Sequence, residues 1–375
     1  MQGWRTWNNN SVLSHVHMPD GLGIQLGIKE YPRARMLTHV LIGEKEENGA
    51  ILPRAHTYDG TYTELELSWG DNELIIQTAV EEDDLVILVT PVKQPAIKES
   101  ILFINGVVLW NREGVVQRKG DVLLLKNEER EIPVYMTAPH TGQFFVNYTS
   151  QYLSADLSEK IGISTGKQRT VEEIQKILDC RKEAWHQNKD RWGDLAECYN
   201  AMQTCQAWDT IYNPEGDVPI TTVSRIWNNN WGGYVLFCWD TYFGSLMQSF
   251  DEKELAYCNA IEITNTLTPA GFIPNYCCHN GIKSCDRSQP PVGSMVRLMI
   301  YERYKEKWFL EEVYENLLTW NRWFAEHRFT ENGLLTWGSD PYEAKFGYEL
   351  EVAGINEWQG AAWESGLDNS PMAIL

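Results

Sequence analysis

Residues 171–190 read VEEIQKILDCRKEAWHQNKD. Ile174, Ile177, Leu178 and Trp185 recur at helical spacing, Thr170 stands at the N-cap position, and Glu173 follows three residues later as in a capping box. The stretch predicts a helix, and it divides the chain into two halves of different character.

Upstream the pattern has period two. In Tyr62–Trp69 (YTELELSW), Leu65, Leu67 and Trp69 share a face, Gly70-Asp71-Asn72 reads as a turn, and Glu73–Val80 follows as another strand. Asp84–Thr90 is a short apolar run ending before Pro91, and Ile101–Trp110 and Asp121–Leu125 repeat the theme between Gly and Asn. Many short strands with turns between them predict a β-sandwich over residues 1–150. Residues 151–193 then read as a linker carrying the helix.

Downstream, helices are expected over Asp194–Tyr212, Val235–Phe250, Glu252–Asn265, Val292–Lys307 and Phe309–His327; in the last, Leu310, Val313, Leu317, Trp320 and Phe324 form one stripe. Long connections bearing Gly and Pro favour an α-solenoid or an α/α barrel over residues 194–375, not a short-loop bundle.

The balance of 52 acidic against 32 basic residues, a net charge of −20, disfavours nucleic acid and anionic membrane as partners, since both need a cationic surface. The N-terminal MQGWRTWNNN has no apolar h-region, and no run approaches the ~18 apolar residues of a membrane span, so a cytoplasmic protein is expected. All eight cysteines fall from Cys180 onward and none forms a CxxC pair. Cys198 and Cys205, seven apart, are expected on one core-facing helix stripe. Cys277, Cys278 and Cys285 with His279 lack the second paired half of a zinc site, so no metal is expected. Sixteen tryptophans supply large apolar faces that suit either a core or the C–H face of a sugar.

Four motifs stand out after residue 224: RIWNNNWGG (225–233) leading into FCWDTYF (237–243), GFIPN (271–275), DRSQPP (286–291) and WESGLDNSP (363–371). Each sets a polar or charged residue among aromatics, Pro or Gly, where a charge is costly unless paired or used. Indole and phenol faces can stack on a pyranose, and Asp, Asn, Gln and Arg can hold its hydroxyls. Glycosidic cleavage needs two carboxyl groups flanking the bond and no metal or organic cofactor.

In their order, WDTYF, GFIPN, DRSQPP and WESGLDNSP resemble glycoside hydrolase family 63, and they are similar to motifs of the family 37 trehalases. The resemblance covers roughly Ser224–Pro371; for residues 1–150 it rests on a β-domain preceding a helical one. It implies an (α/α)6 barrel and inverting hydrolysis of α-glycosides, α-glucosidase-like, with a carbohydrate substrate and no cofactor. Residue by residue it implies Asp368 as general acid, Trp239 and Asp240 against the sugar at the −1 subsite, and Asn275, Arg287 and Gln289 on its hydroxyls. Trp363 and Glu364 match supporting positions, with a structural ion pair as the other reading of Glu364, and Trp337 and Asp340 are placed at the same pocket. The family's general base is a Glu well beyond the ESGxD motif, and nothing before Leu375 matches it; Glu349, Glu351 and Glu357 read as solvated. The expectation is therefore the first half of a barrel, inactive by itself. A trehalase-like or mannosylglycerate-cleaving hydrolase, and a carbohydrate-binding protein without chemistry, stand as alternatives.

Overall fold

The computed structural model describes residues 2–31, 34–44, 49–93, 100–142, 151–340, 350–351 and 357–370. The chain divides into two units, residues 1–210 and 211–375.

In the first unit the period-two pattern folds as strands β1 (Gly3–Arg5), β2 (Ser14–Met18), β3 (Leu22–Glu30), β4 (Arg35–Leu37), β5 (Ala50–His56), β6 (Tyr62–Trp69) and β7 (Asn72–Glu81). It continues with β8 (Asp84–Lys93), β9 (Ser100–Val108), β10 (Val115–Lys119), β11 (Val122–Lys126), β12 (Glu131–Met136), β13 (Tyr152–Asp156) and β14 (Ile161–Thr165). One sheet runs β1-β2-β3-β9-β13 with β4 also paired to β3, and the other runs β10-β11-β12-β14-β8-β7-β6-β5. Ile24 and Leu26 of β3 and Ile104 of β9 share a core with Leu65 and Leu67 of β6 and Ile87 of β8. The face that alternation assigns to β6 is thus the buried one, and the pairing Trp69↔Asn72 leaves Gly70 and Asp71 as its hairpin turn, with Gly70 at φ +59°.

The predicted helix, α1 (Val171–Asp190), is closed by its capping box: the Glu173 N–H donates to Thr170 Oγ1 at 3.3 Å and the Thr170 N–H donates to Glu173 Oε2 at 2.8 Å. It is no free linker. Ile174 and Leu178 pack with Val86 and Leu88 of β8, so β8 is covered on both faces, which is why it reads as a continuous apolar run and not as an alternation. The stretch expected as linker also supplies β13 and β14, which pair with β9 and β8. Helix α2 (Ala196–Asp209) closes the first unit, with Trp208 in its core and edge-on to His56 at 4.6 Å. Cys198 and Cys205 are exposed, contrary to expectation, because the buried stripe of α2 is Tyr199, Gln203, Gln206 and Ala207.

The second unit opens with β15 (Thr210–Asn213) beside β16 (Val218–Thr221), then α3 (Arg225–Asn230), β17 (Val235–Phe237), α4 (Cys238–Gln248) and α5 (Lys253–Asn265). It continues through β18 (Tyr276–Cys278), β19 (Lys283–Ser284), α6 (Gly293–Tyr304), α7 (Lys307–Glu311), α8 (Tyr314–His327), β20 (Leu350–Glu351) and α9 (Glu357–Ser365). The helix expected from Val235 starts three residues late, since Val235–Phe237 pairs antiparallel with Tyr276–Cys278. The helix expected over 309–327 is broken at Val313, whose φ of −127° and ψ of 12° are not helical. Its stripe still packs as foreseen at Val313, Trp320 and Phe324, while Leu310 falls on α7. Tyr242 of α4 stacks on Trp320 of α8 at 6.1 Å in a core with Ile263, Phe272 and Phe309. Among the described residues no helix is long and apolar enough to cross a membrane, and no group of three or more His, Cys, Asp or Glu converges as metal ligands.

Candidate active site

The short β17–β18 ladder fixes where α4 begins. Phe237 lies opposite Tyr276, and the next amide, that of Cys238, donates to the Asn275 carbonyl at 3.0 Å. Helix starts leave orphan N–H groups; here the Trp239 N–H donates to Gln289 Oε1 at 3.0 Å. The first turn of α4, carrying Trp239 and Asp240, is thereby tied to both GFIPN and DRSQPP.

The 275–289 segment is held from within. The Asn275 N–H donates to Ser284 Oγ at 2.7 Å and to the Arg287 carbonyl at 3.2 Å. Ser288 Oγ donates to the Ile273 carbonyl at 2.5 Å and accepts from Trp320 Nε1 at 2.9 Å, which anchors the motif to the helical core. Arg287 is 3 % exposed; its Nη1 donates to Asp286 Oδ1 at 2.7 Å, and its guanidinium lies 4.3 Å from the Trp363 ring centroid.

The third part is the end of α9. Asn275 Nδ2 donates to the Trp363 carbonyl at 3.1 Å. Gly366 then turns the chain at φ +71°, and a β-carbon there would lie 2.5 Å from Cζ2 of Trp239. Only glycine meets both the torsion and the approach. The turn delivers Asp368, whose Oδ2 accepts from Asn369 Nδ2 at 3.3 Å.

These parts enclose one cavity of about 460 Å³, a size suited to a small organic ligand. Seven of the ten residues singled out from the sequence line it: Trp239, Asp240, Asn275, Arg287, Gln289, Trp363 and Asp368. The deep wall is polar and buried, with Asn275 and Gln289 each 6 % exposed. Burial pushes the Asp240 carboxyl above its ordinary value, and the negative charge of Asp368 pushes it the same way. Asp240 and Asp368 are thus electrostatically coupled carboxyls in one aromatic-walled cavity.

Three residues, Glu364, Trp337 and Asp340, stand apart. Glu364 is fully buried and does not face the cavity. It accepts from Arg328 Nε at 2.6 Å and Nη2 at 3.0 Å, from the Ser288 N–H at 2.9 Å and from the Gly338 N–H at 2.7 Å. Four donors around one carboxylate make it the ion-paired hub that ties α9 to α8, DRSQPP and the 338 loop. Trp337 also lies outside the cavity; it is 43 % exposed and packs edge-on to Phe324 at 6.3 Å. Asp340 pairs with Arg328 and donates its N–H to the Asp286 carbonyl at 2.6 Å. Glu349 and Pro371 lie outside the described residues, as do the side chains of Glu351 and Glu357.

A second wall went unassigned in the sequence. Val223, Trp227, Trp231, Phe237 and Tyr276 line the same cavity, as do Gly366 and Asn369. The NNNWGG run marked an unusual loop there, but an aromatic-rich segment reads the same in sequence whether it faces a core or a cleft.

A polar, carboxyl-bearing cavity with indole walls offers apolar faces and hydrogen-bonding groups to a small polar ligand. Residues 235–374, which hold all the polar lining groups just described, match the family model described as "Mannosylglycerate hydrolase MGH1-like glycoside hydrolase domain". That segment is similar to a glycoside hydrolase domain. Among solved structures, one described as a candidate kojibiose phosphorylase from the human microbiome is 12 % identical, with 92 % of this chain and 54 % of that chain covered at a TM-score of 0.36. Another, described as the family 92 glycosyl hydrolase ccman5, is 10 % identical, with 96 % and 67 % covered at 0.29. Both scores are too low for a shared fold to follow. The chain spans about half the length of the first of these structures. No curated protein matches the chain significantly.

Proposed function

We propose that the second unit is the sugar-gripping and acid-bearing part of an inverting glycoside hydrolase acting on neutral α-glycosides, family 63-like and built on an (α/α)6 barrel. The observation that carries this is the convergence of Asp240, Asp368, Trp239, Trp363, Asn275, Arg287 and Gln289 on one cavity. The indoles take the apolar face of a pyranose, the amides and guanidinium take its hydroxyls, and Asp368 gives its proton to the glycosidic oxygen as the C1–O bond breaks. Asp240 accepts from a sugar hydroxyl.

Inversion needs a second carboxylate ~6.5–9.5 Å from the acid to activate water on the opposite face. Among the described residues that line the cavity, the carboxyls are Asp240 and Asp368. With Asp240 holding the sugar, the water-activating carboxylate is neither of these two.

The charge balance favours a neutral substrate over the mannosylglycerate in the family model's description. The one cation among the described lining residues, Arg287, is paired with the buried Asp286, so a carboxylate-bearing aglycone meets two Asp and no uncompensated positive charge. Calorimetric titration with α-glucosides, α-mannosides and mannosylglycerate tests this. Binding of neutral α-glucosides ahead of mannosylglycerate is expected. Absence of binding across the panel would overturn the reading, as would product released with retained anomeric configuration.

A further inference from the structure

Gly338, Ser339 and Asp340 line no part of the cavity, yet each bonds a residue that holds one of its walls. The Gly338 N–H donates to Glu364 Oε2 at 2.7 Å. Ser339 Oγ donates to Asp286 Oδ2 at 2.7 Å. The Asp340 N–H donates to the Asp286 carbonyl at 2.6 Å, and its carboxylate pairs with Arg328, which holds Glu364 in turn. Glu364 follows Trp363 in the chain, and Asp286 precedes Arg287. Three consecutive residues therefore anchor the neighbours of both members of the Trp363–Arg287 stack, whose ring centroid and guanidinium lie 4.3 Å apart.

The Ser339 bond bears on Arg287 most directly. Asp286 is fully buried and divides its carboxylate: Oδ1 accepts from Arg287 Nη1 at 2.7 Å, and Oδ2 accepts from the Ser339 hydroxyl. A hydroxyl on a buried carboxylate makes a short, charge-assisted bond. It sets the plane of that carboxylate, and the plane sets where Oδ1 meets the guanidinium. Arg287 also lies 5.9 Å from the Tyr276 ring centroid, so its guanidinium meets two of the rings that line the cavity. An arginine side chain has many rotamers to lose, and a preset partner removes that cost before a ligand arrives. Glu364 with Arg328 already ties α9 to α8. The Ser339 bond adds nothing to that tie and acts on the partner of Arg287 instead.

We infer that Ser339 is a positioning residue for the sugar site: through Asp286 it fixes the Arg287 guanidinium in the orientation that takes sugar hydroxyls. The inference rests on the glycoside reading of the cavity. It gives the WGSD segment (337–340) a role behind the wall and not in it.

The test measures Kd for methyl α-glucoside by calorimetry on the 375-residue chain, with urea unfolding of each variant alongside. Ser339→Ala should weaken binding about fivefold. Ser339→Thr and Ser339→Val match in shape and differ in the hydroxyl. The Thr variant should stay within about twofold of wild type, and the Val variant should lose about as much as Ser339→Ala. In the Arg287→Lys background, Ser339→Ala should cost little more, because the group it positions is gone. A purely structural role predicts the opposite: equal losses for Thr and Val, and Ser339→Ala acting in full on top of Arg287→Lys. Either of those results, or wild-type affinity in both the Ala and Val variants, would overturn the inference while leaving the sugar cavity standing. Failure of wild type to bind the glucoside would overturn the glycoside reading itself, and the role of Ser339 with it.

Discussion

Gly366 faces the indole of Trp239 so closely that a β-carbon on it would lie 2.5 Å from Cζ2, and its φ of +71° suits a residue without one. The turn that carries Asp368 and the indole of Trp239 are therefore positioned against each other. Gly366→Ala should push Trp239 off its place and strain the turn, costing roughly 1–2 kcal/mol of stability and about tenfold in sugar affinity. Thermal unfolding and calorimetry check the two effects, and an unchanged Kd would show that the contact does not shape the cavity.

Glu364 and Asp368 should separate cleanly. Removing one partner of a buried ion pair costs about 3–5 kcal/mol, because the other is left uncompensated. Arg328→Met and Glu364→Leu should therefore be strongly destabilised in urea unfolding, and the double substitution less so than the sum. Asp368→Asn, at a partly exposed turn, should change stability by less than about 1 kcal/mol. Equal destabilisation at 364 and 368 would mean that the two carboxylates share a structural role.

Asp240 gives a pH signature. Its carboxyl is held above its ordinary value in the folded chain, first by burial and then by Asp368. The folded state thus binds this proton more tightly than the unfolded one. The resulting stabilisation is present below the unfolded value and is lost as pH rises through the folded one. At neutral pH the ionised Asp240 is a cost to the fold, so Asp240→Asn should raise the melting temperature at pH 7. That gain should shrink as pH falls through the acid range, while sugar affinity drops at neutral pH. A lower melting temperature at pH 7 would contradict the assigned environment.

Arg287 lies over Trp363 and pairs with Asp286. A lysine keeps the charge but loses the planar stack and the forked donors. Arg287→Lys should weaken sugar binding about tenfold with the fold intact; near wild-type affinity would show that charge alone suffices.

The parts of this structure that were legible from sequence are those set by local rules. Thr170 and Glu173 announce the start of α1, and Leu65, Leu67 and Trp69 announce the buried face of β6. The lining residues could be named because a charged or amide side chain among Trp, Pro and Gly is an expense with few explanations. What could not be read depends on partners distant in sequence. Glu364 sits in the same motif as Asp368, and partners distant in sequence, Arg328 with the amides of Ser288 and Gly338, make it structural. Strands of three residues such as Val235–Phe237 carry no period to detect. Cys198 and Cys205 share a face, but nothing in their spacing says which face turns inward.

The most direct test of the central claim is a crystal structure of the chain soaked with a gluco-configured iminosugar, a cationic mimic of the sugar at the reacting centre. The account predicts its ring against Trp239 and Trp363, its hydroxyls on Asn275, Arg287 and Gln289, and the Asp368 carboxyl within about 3.2 Å of the ring's anomeric side. An iminosugar bound elsewhere, or seated in this cavity with Asp368 turned away from it, would contradict the account.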